Sequence, residues 1–276
     1  MPELPEVETT LRGIEPYVAG KTLSRVVVRN ASLRWPVPVE ELTALTGQKI
    51  IKAERRAKYI LLHTDKACVL LHLGMSGSLR VLSPELPAEK HDHVDLEFSD
   101  ANGVATLLRL NDPRRFGCCL LINEPVNKHK LLANLGPEPL SDEFDDEHLF
   151  KLSRGKTQAV KNFIMDGKTV VGVGNIYASE SLFEAGIRPS MAAKRISKAR
   201  YKKLTQEIKT VLLKAVKAGG TTLNDFTQAD GKPGYFSHEL QVYARAGEPC
   251  RRCSGDIKSQ IIGQRNTFYC ANCQSF

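Results

Sequence analysis

The sequence opens Met1-Pro2-Glu3, and a small second residue normally permits removal of the methionine, which leaves the secondary amine of Pro2 as the chain terminus. An α-amino group titrates near ~7.7–8.0, so an appreciable fraction is an uncharged nucleophile at neutral pH. Attack of a secondary amine on a sugar aldehyde gives an iminium ion, permanently charged and a good electron sink. Glu3 and Glu6 follow at a spacing that lets them protonate a leaving or ring oxygen. The competing reading is structural, because acids at a helix start are usually caps and dipole partners.

Metal chemistry is confined to the other end. Of the 7 cysteines, four form two pairs, Cys250-x2-Cys253 and Cys270-x2-Cys273, the spacing at which thiolates on two turns reach one tetrahedral zinc. Cys68, Cys118 and Cys119 lie in apolar stretches and read as small buried hydrophobes. Residues 248–276 carry four basic and two acidic side chains, while a zinc ion with four thiolates is itself −2. The module is therefore near neutral and no generic basic patch; its use is to aim one group. Arg265, between the cysteine pairs, falls where a hairpin tip would be.

Charge elsewhere is unevenly spread. Residues 1–150 hold 18 Lys and Arg against 22 Asp and Glu; residues 151–276 hold 21 against 9, so the net +8 comes from the C-terminal half. That asymmetry suggests a polyanion, with nucleic acid ahead of membrane because no amphipathic aromatic helix accompanies it. A solvated basic face explains charge alone equally well. The acidic start lacks the basic region of a signal peptide and no apolar run approaches a membrane span, so a cytosolic protein is expected. On composition and spacing, a zinc-containing nucleic-acid binder stands ahead of an enzyme.

The elements that must position these groups fall in two styles. Leu4, Val7, Leu11 and Ile14 predict a short amphipathic helix over 4–14. Runs at Val26–Val28, Ile50–Ala53, Tyr59–Leu62, Val69–Leu73, Val94–Phe98, Val104–Leu110 and Cys118–Ile122 predict strands of an antiparallel sandwich or barrel. Leu135–Glu147 has two prolines and six acids without a Lys or Arg and reads as a linker. Helices follow at about 147–152, 157–165, 175–185 and 196–218, the last stopped by Gly219-Gly220. Gly172-Val-Gly174-Asn175 gives a tight turn into a helix N-terminus, a place that favours phosphate.

Blocks along nearly the whole chain carry a resemblance. Pro2-Glu3-Leu4-Pro5-Glu6-Val7-Glu8, Arg55-Arg56-Ala57-Lys58-Tyr59, His72-Leu73-Gly74-Met75-Ser76-Gly77, Asp112-Pro113-Arg114-Arg115-Phe116-Gly117, Val171 to Ala178, Asp230 to Phe236 and the four cysteines resemble, in order, the bacterial formamidopyrimidine-DNA glycosylases. Those enzymes excise oxidised purines such as 8-oxoguanine and then cut the abasic strand. The sister endonuclease VIII group typically has glycine where this chain has Leu4 and lacks the Asp230–Phe236 block. The resemblance implies an α+β protein with an N-terminal antiparallel β-sandwich, a C-terminal helical domain with a helix–two-turn–helix, and a zinc-finger β-hairpin. The implied division is a catalytic domain over 1–134, a linker over 135–147, a DNA-binding domain with a lesion loop over 148–247, and a zinc finger over 248–276.

By the same resemblance Pro2 attacks C1′ of the damaged nucleotide, Glu3 supplies protons to the sugar and Glu6 supports that network. Lys58, on the strand after the arginine pair, contributes to elimination. Met75, Arg114 and Phe116 fill the gap left by the extruded base, with Arg114 on the widowed cytosine; for Met75 and Phe116 the alternative is core packing, against which the neighbouring glycines speak. Asn175 contacts a phosphate, and Arg265, counted with Pro2, Glu3, Glu6 and Lys58 in the catalytic set, clamps phosphates beside the flipped nucleotide. His72, His91, Arg115, Lys156, Lys161 and Tyr243 are further expected DNA contacts. Relatives often have serine where this chain has Ala229, which suffices only if the loop reads the purine through a backbone carbonyl. The expected protein is a monomeric β,δ-lyase acting on double-stranded DNA with oxidised purines or abasic sites, with one structural zinc and no organic cofactor. The rival is a non-catalytic damaged-DNA or RNA-binding protein on the same fold.

Overall fold

The computed structural model describes residues 2–221 and 236–276. It divides into two compact units, residues 1–133 with 218–235, and residues 134–217 with 236–276.

The first unit starts with α1 (Leu4–Val18), four residues longer than the apolar periodicity predicts because Val18 also reaches the core and Pro16 falls in the last turn. Two four-stranded antiparallel sheets follow. One has the order β1 (Thr22–Val28), β6 (Asp92–Ser99), β7 (Ala105–Asn111), β5 (Ser78–Leu82); the other runs β2 (Lys52–Arg56), β3 (Tyr59–His63), β4 (Cys68–His72), β8 (Cys118–Ile122). Leu23, Leu96, Phe98 and Leu108 from the first sheet meet Ile60, Leu62, Val69 and Leu71 from the second in one core, and α1 adds Val7, Leu11 and Ile14. The sandwich is therefore sealed at one side by the helix whose first turn holds Glu3 and Glu6. Strand β5 and the short α2 (Val39–Thr43) are absent from the sequence expectation; each buries a single side chain fully, Leu79 and Leu42, too weak a periodic signal to read. Cys68, Cys118 and Cys119 are buried as expected, and burial pushes the thiols of Cys68 and Cys118 up to about 12.

The second unit is helical: α3 (His148–Ser153), α4 (Val160–Met165), α5 (Asn175–Ala185) and α6 (Lys198–Lys217), then a hairpin of β9 (Ile257–Ile262) and β10 (Arg265–Cys270). Between α4 and α5 the chain makes two turns, one closed by Thr169 N–H on the Asp166 carbonyl at 2.8 Å, the other by Gly172 at φ +79°. The acidic stretch expected to be a linker is instead docked inside this unit. Phe144 is fully buried with its ring edge-on to His148 at 5.6 Å, while Lys198 and Lys202 of α6 pair with Glu147 and Asp146 at 2.5 and 3.0 Å. No described helix is long and apolar enough to cross a membrane.

Candidate functional site

At the head of α1 the two carboxylates form a capping box. The Glu3 side chain accepts the Glu6 amide, and Glu6 Oε2 accepts the Glu3 amide at 2.9 Å. The other oxygen, Glu6 Oε1, accepts the amide and hydroxyl of Thr221 at 2.8 and 2.9 Å. Gly220 permits that approach: at φ +79° a Cβ would stand 3.1 Å from Glu6 Oε1. Glu3 and Glu6 are each 1 % exposed and Pro2 is buried beside them. The capping box and Thr221 thus hold both carboxylates in fixed orientations.

Lys58 departs from its expected place. Arg56 pairs with Tyr59 as the last rung of β2 and β3, so Ala57, at φ +55°, and Lys58 form the turn rather than the strand. Glu8 and Arg55 tie this turn to α1. Arg55 bonds Glu8 Oε2 at 2.9 Å and the Ala57 carbonyl at 3.0 Å. Burial works against ionising Glu8, but Arg55 and Arg12 outweigh it and hold the carboxyl below its usual range. Sequence reasoning gave Glu8 no role; its only local signal was Arg12 one helical turn away.

His72 closes β4, its ring 5.0 Å from that of Tyr59. Its Nδ1 accepts the Gly74 amide at 2.9 Å, which leaves the ring proton on Nε2. Burial, then the charges of Lys58 and Arg34, hold its pKa down to about 4, so the ring is a neutral donor at physiological pH. Met75 follows in the turn over 74–76, half-buried. Arg114, Arg115 and Phe116 are exposed on the loop between β7 and β8, with the Arg114 guanidinium 5.0 Å from the Phe116 ring centre. Phe116 is 44 % exposed, which excludes core packing for it. His91 lies on the approach to β6, its carbonyl bonded to the Asp112 amide.

In the second unit Asn175 is the first residue of α5, capped by Gly174. Its Nδ2 donates to the Asn266 carbonyl at 3.0 Å, one residue from Arg265, which opens β10 beside the hairpin tip and is exposed. Lys161 differs from expectation: it is fully buried, and its ammonium bonds Asn175 Oδ1, Thr267 Oγ1 and the Asn266 carbonyl, so as placed it presents no charge to a DNA phosphate. Lys156 is exposed. Tyr243 packs edge-on against Phe268 at 5.1 Å and its amide donates to Glu180. Glu180, unforeseen in the sequence, is 3 % exposed and accepts the amides of Gln241, Val242 and Tyr243. Burial raises its pKa, with the three amides acting the other way. Ala229 and most of the Asp230–Phe236 block lie outside the described residues.

The four thiols of Cys250, Cys253, Cys270 and Cys273 lie within 4.8 Å of one another, with Cys253 to Cys270 at 3.4 Å and Cys250 to Cys273 at 3.9 Å. Tetrahedral Zn–S bonds of about 2.3 Å demand sulfur separations of about 3.8 Å. The cysteines are therefore positioned to bind one structural zinc.

A two-sheet unit with a carboxylate-capped first helix, joined in one chain to a helix–two-turn–helix and a four-cysteine hairpin, defines a class of DNA-repair proteins. Models of the formamidopyrimidine-DNA glycosylase N-terminal domain, of its H2TH domain and of the zinc finger found in FPG and IleRS match residues 1–119, 135–227 and 247–275. The chain is 56 % identical over 274 residues to the formamidopyrimidine-DNA glycosylase of Alteromonas mediterranea and 57 % identical to that of Yersinia pseudotuberculosis, covering 99 % of this chain and 100 % of each relative. Its fold is similar to the MutM (Fpg) protein of Thermus thermophilus, with a TM-score of 0.87, 34 % identity and 99 and 98 % of the two chains covered. A Lactococcus lactis Fpg mutant in complex with DNA containing Fapy-dG gives 0.91 at 32 % identity, with both chains fully covered. The chain belongs to the formamidopyrimidine-DNA glycosylase family.

Proposed function

We propose that this protein is a base-excision-repair enzyme that removes oxidised purines, 8-oxoguanine and formamidopyrimidines, from double-stranded DNA and then cuts the abasic strand. The observation that carries the reading is the head of α1, where Pro2 is buried and directly precedes a helix turn holding two buried carboxylates in fixed hydrogen bonds. Pro2 nitrogen attacks C1′; the glycosidic bond breaks with its electron pair leaving on the base, which takes a proton. Glu3 protonates the ring oxygen as the sugar opens to an iminium. Loss of a C2′ proton then expels the 3′ phosphate, and a second elimination expels the 5′ phosphate. Glu6 keeps Glu3 oriented through the capping box, and Lys58 stands on the turn that Arg55 ties to α1.

For DNA recognition, Met75, Arg114 and Phe116 fill the gap left by the everted nucleotide. His72, His91, Arg115, Lys156, Asn175, Arg265 and Tyr243 hold the backbone around it, and Lys161 acts through Asn175. We keep the catalytic role for residues 1–134, the DNA-binding role for 148–247 and the phosphate clamp for 248–276. Chromosomal DNA as substrate implies action in the bacterial cytoplasm, at the nucleoid, and we infer that the enzyme works there as a monomer. Borohydride reduction on abasic-site DNA, with mass spectrometry of the N-terminal peptide, tests the reading: an adduct on Pro2 is expected, and its absence with DNA affinity intact indicates a non-catalytic binder.

A further inference from the structure

We propose that Asp112 is a positioning residue that locks the loops over 73–77 and 112–117 into one rigid body, so that Met75 on one loop and Arg114 and Phe116 on the other enter the duplex as a unit. The inference rests on the gap-filling reading above and adds the residue that makes it work.

Asp112 follows the last residue of β7 and is 0 % exposed. Its Oδ2 accepts the Gly117 amide at 2.7 Å, which ties the two ends of its own loop together. Its Oδ1 accepts the Ser76 hydroxyl at 3.1 Å, which ties that loop to the turn beside Met75. The backbone joins in: the Asp112 carbonyl accepts Arg115 N–H at 3.2 Å and His93 Nε2–H at 2.9 Å, and its amide donates to the His91 carbonyl at 3.0 Å. Among the described residues no cation pairs with the carboxylate. A buried charge without a counter-ion is unfavourable unless hydrogen-bond donors replace its water; here those donors come from both loops.

The two loops are also in backbone contact. A Cβ on Gly74 would stand 2.4 Å from Gly117 N, and one on Gly117 would stand 2.5 Å from the His72 carbonyl. Arg115 is held at φ +56°, a strained conformation that persists where its surroundings over-determine it. Insertion between stacked base pairs works against the cost of unstacking, so a wedge assembled before contact loses less conformational freedom than one ordered on the DNA.

The test compares Asp112→Ala with Asp112→Asn. In the Asn variant the amide oxygen can accept Gly117 N–H while the amide nitrogen donates to Ser76 Oγ, so the link survives without the charge. Asp112→Ala is expected to slow single-turnover excision from an 8-oxoguanine:C duplex by about tenfold or more and to drive the ratio of activity on lesion:C over lesion:A towards one. Strand cutting of single-stranded abasic DNA, which has no gap to fill, should stay within about twofold, and Asp112→Asn should recover most of the duplex activity. Equal losses on single-stranded and duplex substrates, or an unchanged pairing ratio, overturn the proposal. If Asp112→Ala does not fold, Ser76→Ala decides: a partial fall in the pairing ratio supports the lock, and an unchanged ratio overturns it. Phe116→Ala and Arg114→Ala run alongside. If they too leave duplex excision and the ratio unchanged, the gap-filling reading itself has failed; if they lose both while Asp112→Ala keeps both, only the lock has.

Discussion

At the scale of single residues, the side chains proposed to do the chemistry also hold structure, and substitution can separate the two. Glu3→Gln keeps a carbonyl oxygen for the Glu6 amide but has no acidic proton to transfer. Stability in urea should therefore stay within about 1 kcal/mol of the parent, the size of a whole cap. Excision measured in a single turnover should nevertheless fall by about 10²–10⁴. Matched losses in both would mean that Glu3 only caps α1. His72 gives a pH dependence of known sign. The unfolded chain protonates it near the ordinary 6.5, whereas the folded protein resists down to about 4. Unfolding free energy therefore drops as pH falls through that window and levels off below it. Denaturation of wild type and His72→Gln at several pH values should show the variant with the shallower decline; parallel curves would place the ring in a solvated setting. The zinc set of four cysteines was legible from its spacing, whereas Pro2 and Glu3 stand out only through the resemblance to the family, since acids at a helix start are ordinarily caps. The burial of Lys161 was not legible, because its acceptor Thr267 lies 106 residues away.

At the scale of elements, the strands were legible where β-branched and aliphatic residues cluster, as Val26–Val28 do in β1, and β5 escaped notice because Arg80 interrupts its short apolar run. The stretch Leu135–Glu147 misleads by composition. Its six acids suggest solvation, yet one aromatic, Phe144, docks it while two of the acids, Asp146 and Glu147, pair with Lys202 and Lys198 of α6. The hairpin reaches beyond its own fold. Asn266 and Thr267 hold Asn175 and Lys161, so the zinc that closes β9 and β10 also fixes the start of α5. Because structural zinc contributes folding free energy directly, chelation or Cys253→Ser should weaken binding to abasic-site DNA by about tenfold or more, ~1.4 kcal/mol. Full affinity in protein shown by metal analysis to be zinc-free would refute this.

At the scale of the whole molecule, charge is divided by fold rather than by sequence half. The first unit has 19 Lys and Arg against 18 Asp and Glu, and the second 20 against 13, so the second holds +7 of the net +8. Affinity for DNA should fall steeply with salt, with each phosphate contact contributing about 0.9 to the slope of log K against log salt. Arg265→Ala should flatten that slope by about 0.9, whereas Lys161→Ala, which removes a buried ammonium, should lower affinity at every salt concentration and leave the slope alone. An equal flattening by both would put Lys161 on a phosphate. The bond between Glu6 and Thr221 spans 215 residues and belongs to a unit that the chain leaves at residue 133 and rejoins at 218. During translation at about 5–20 residues per second, Thr221 is made on the order of ten to forty seconds after Glu6. A ribosome-bound chain thus carries Glu6 long before Thr221 exists to hold it, and the head of α1 gains this bond only after about four-fifths of the 276 residues have been made.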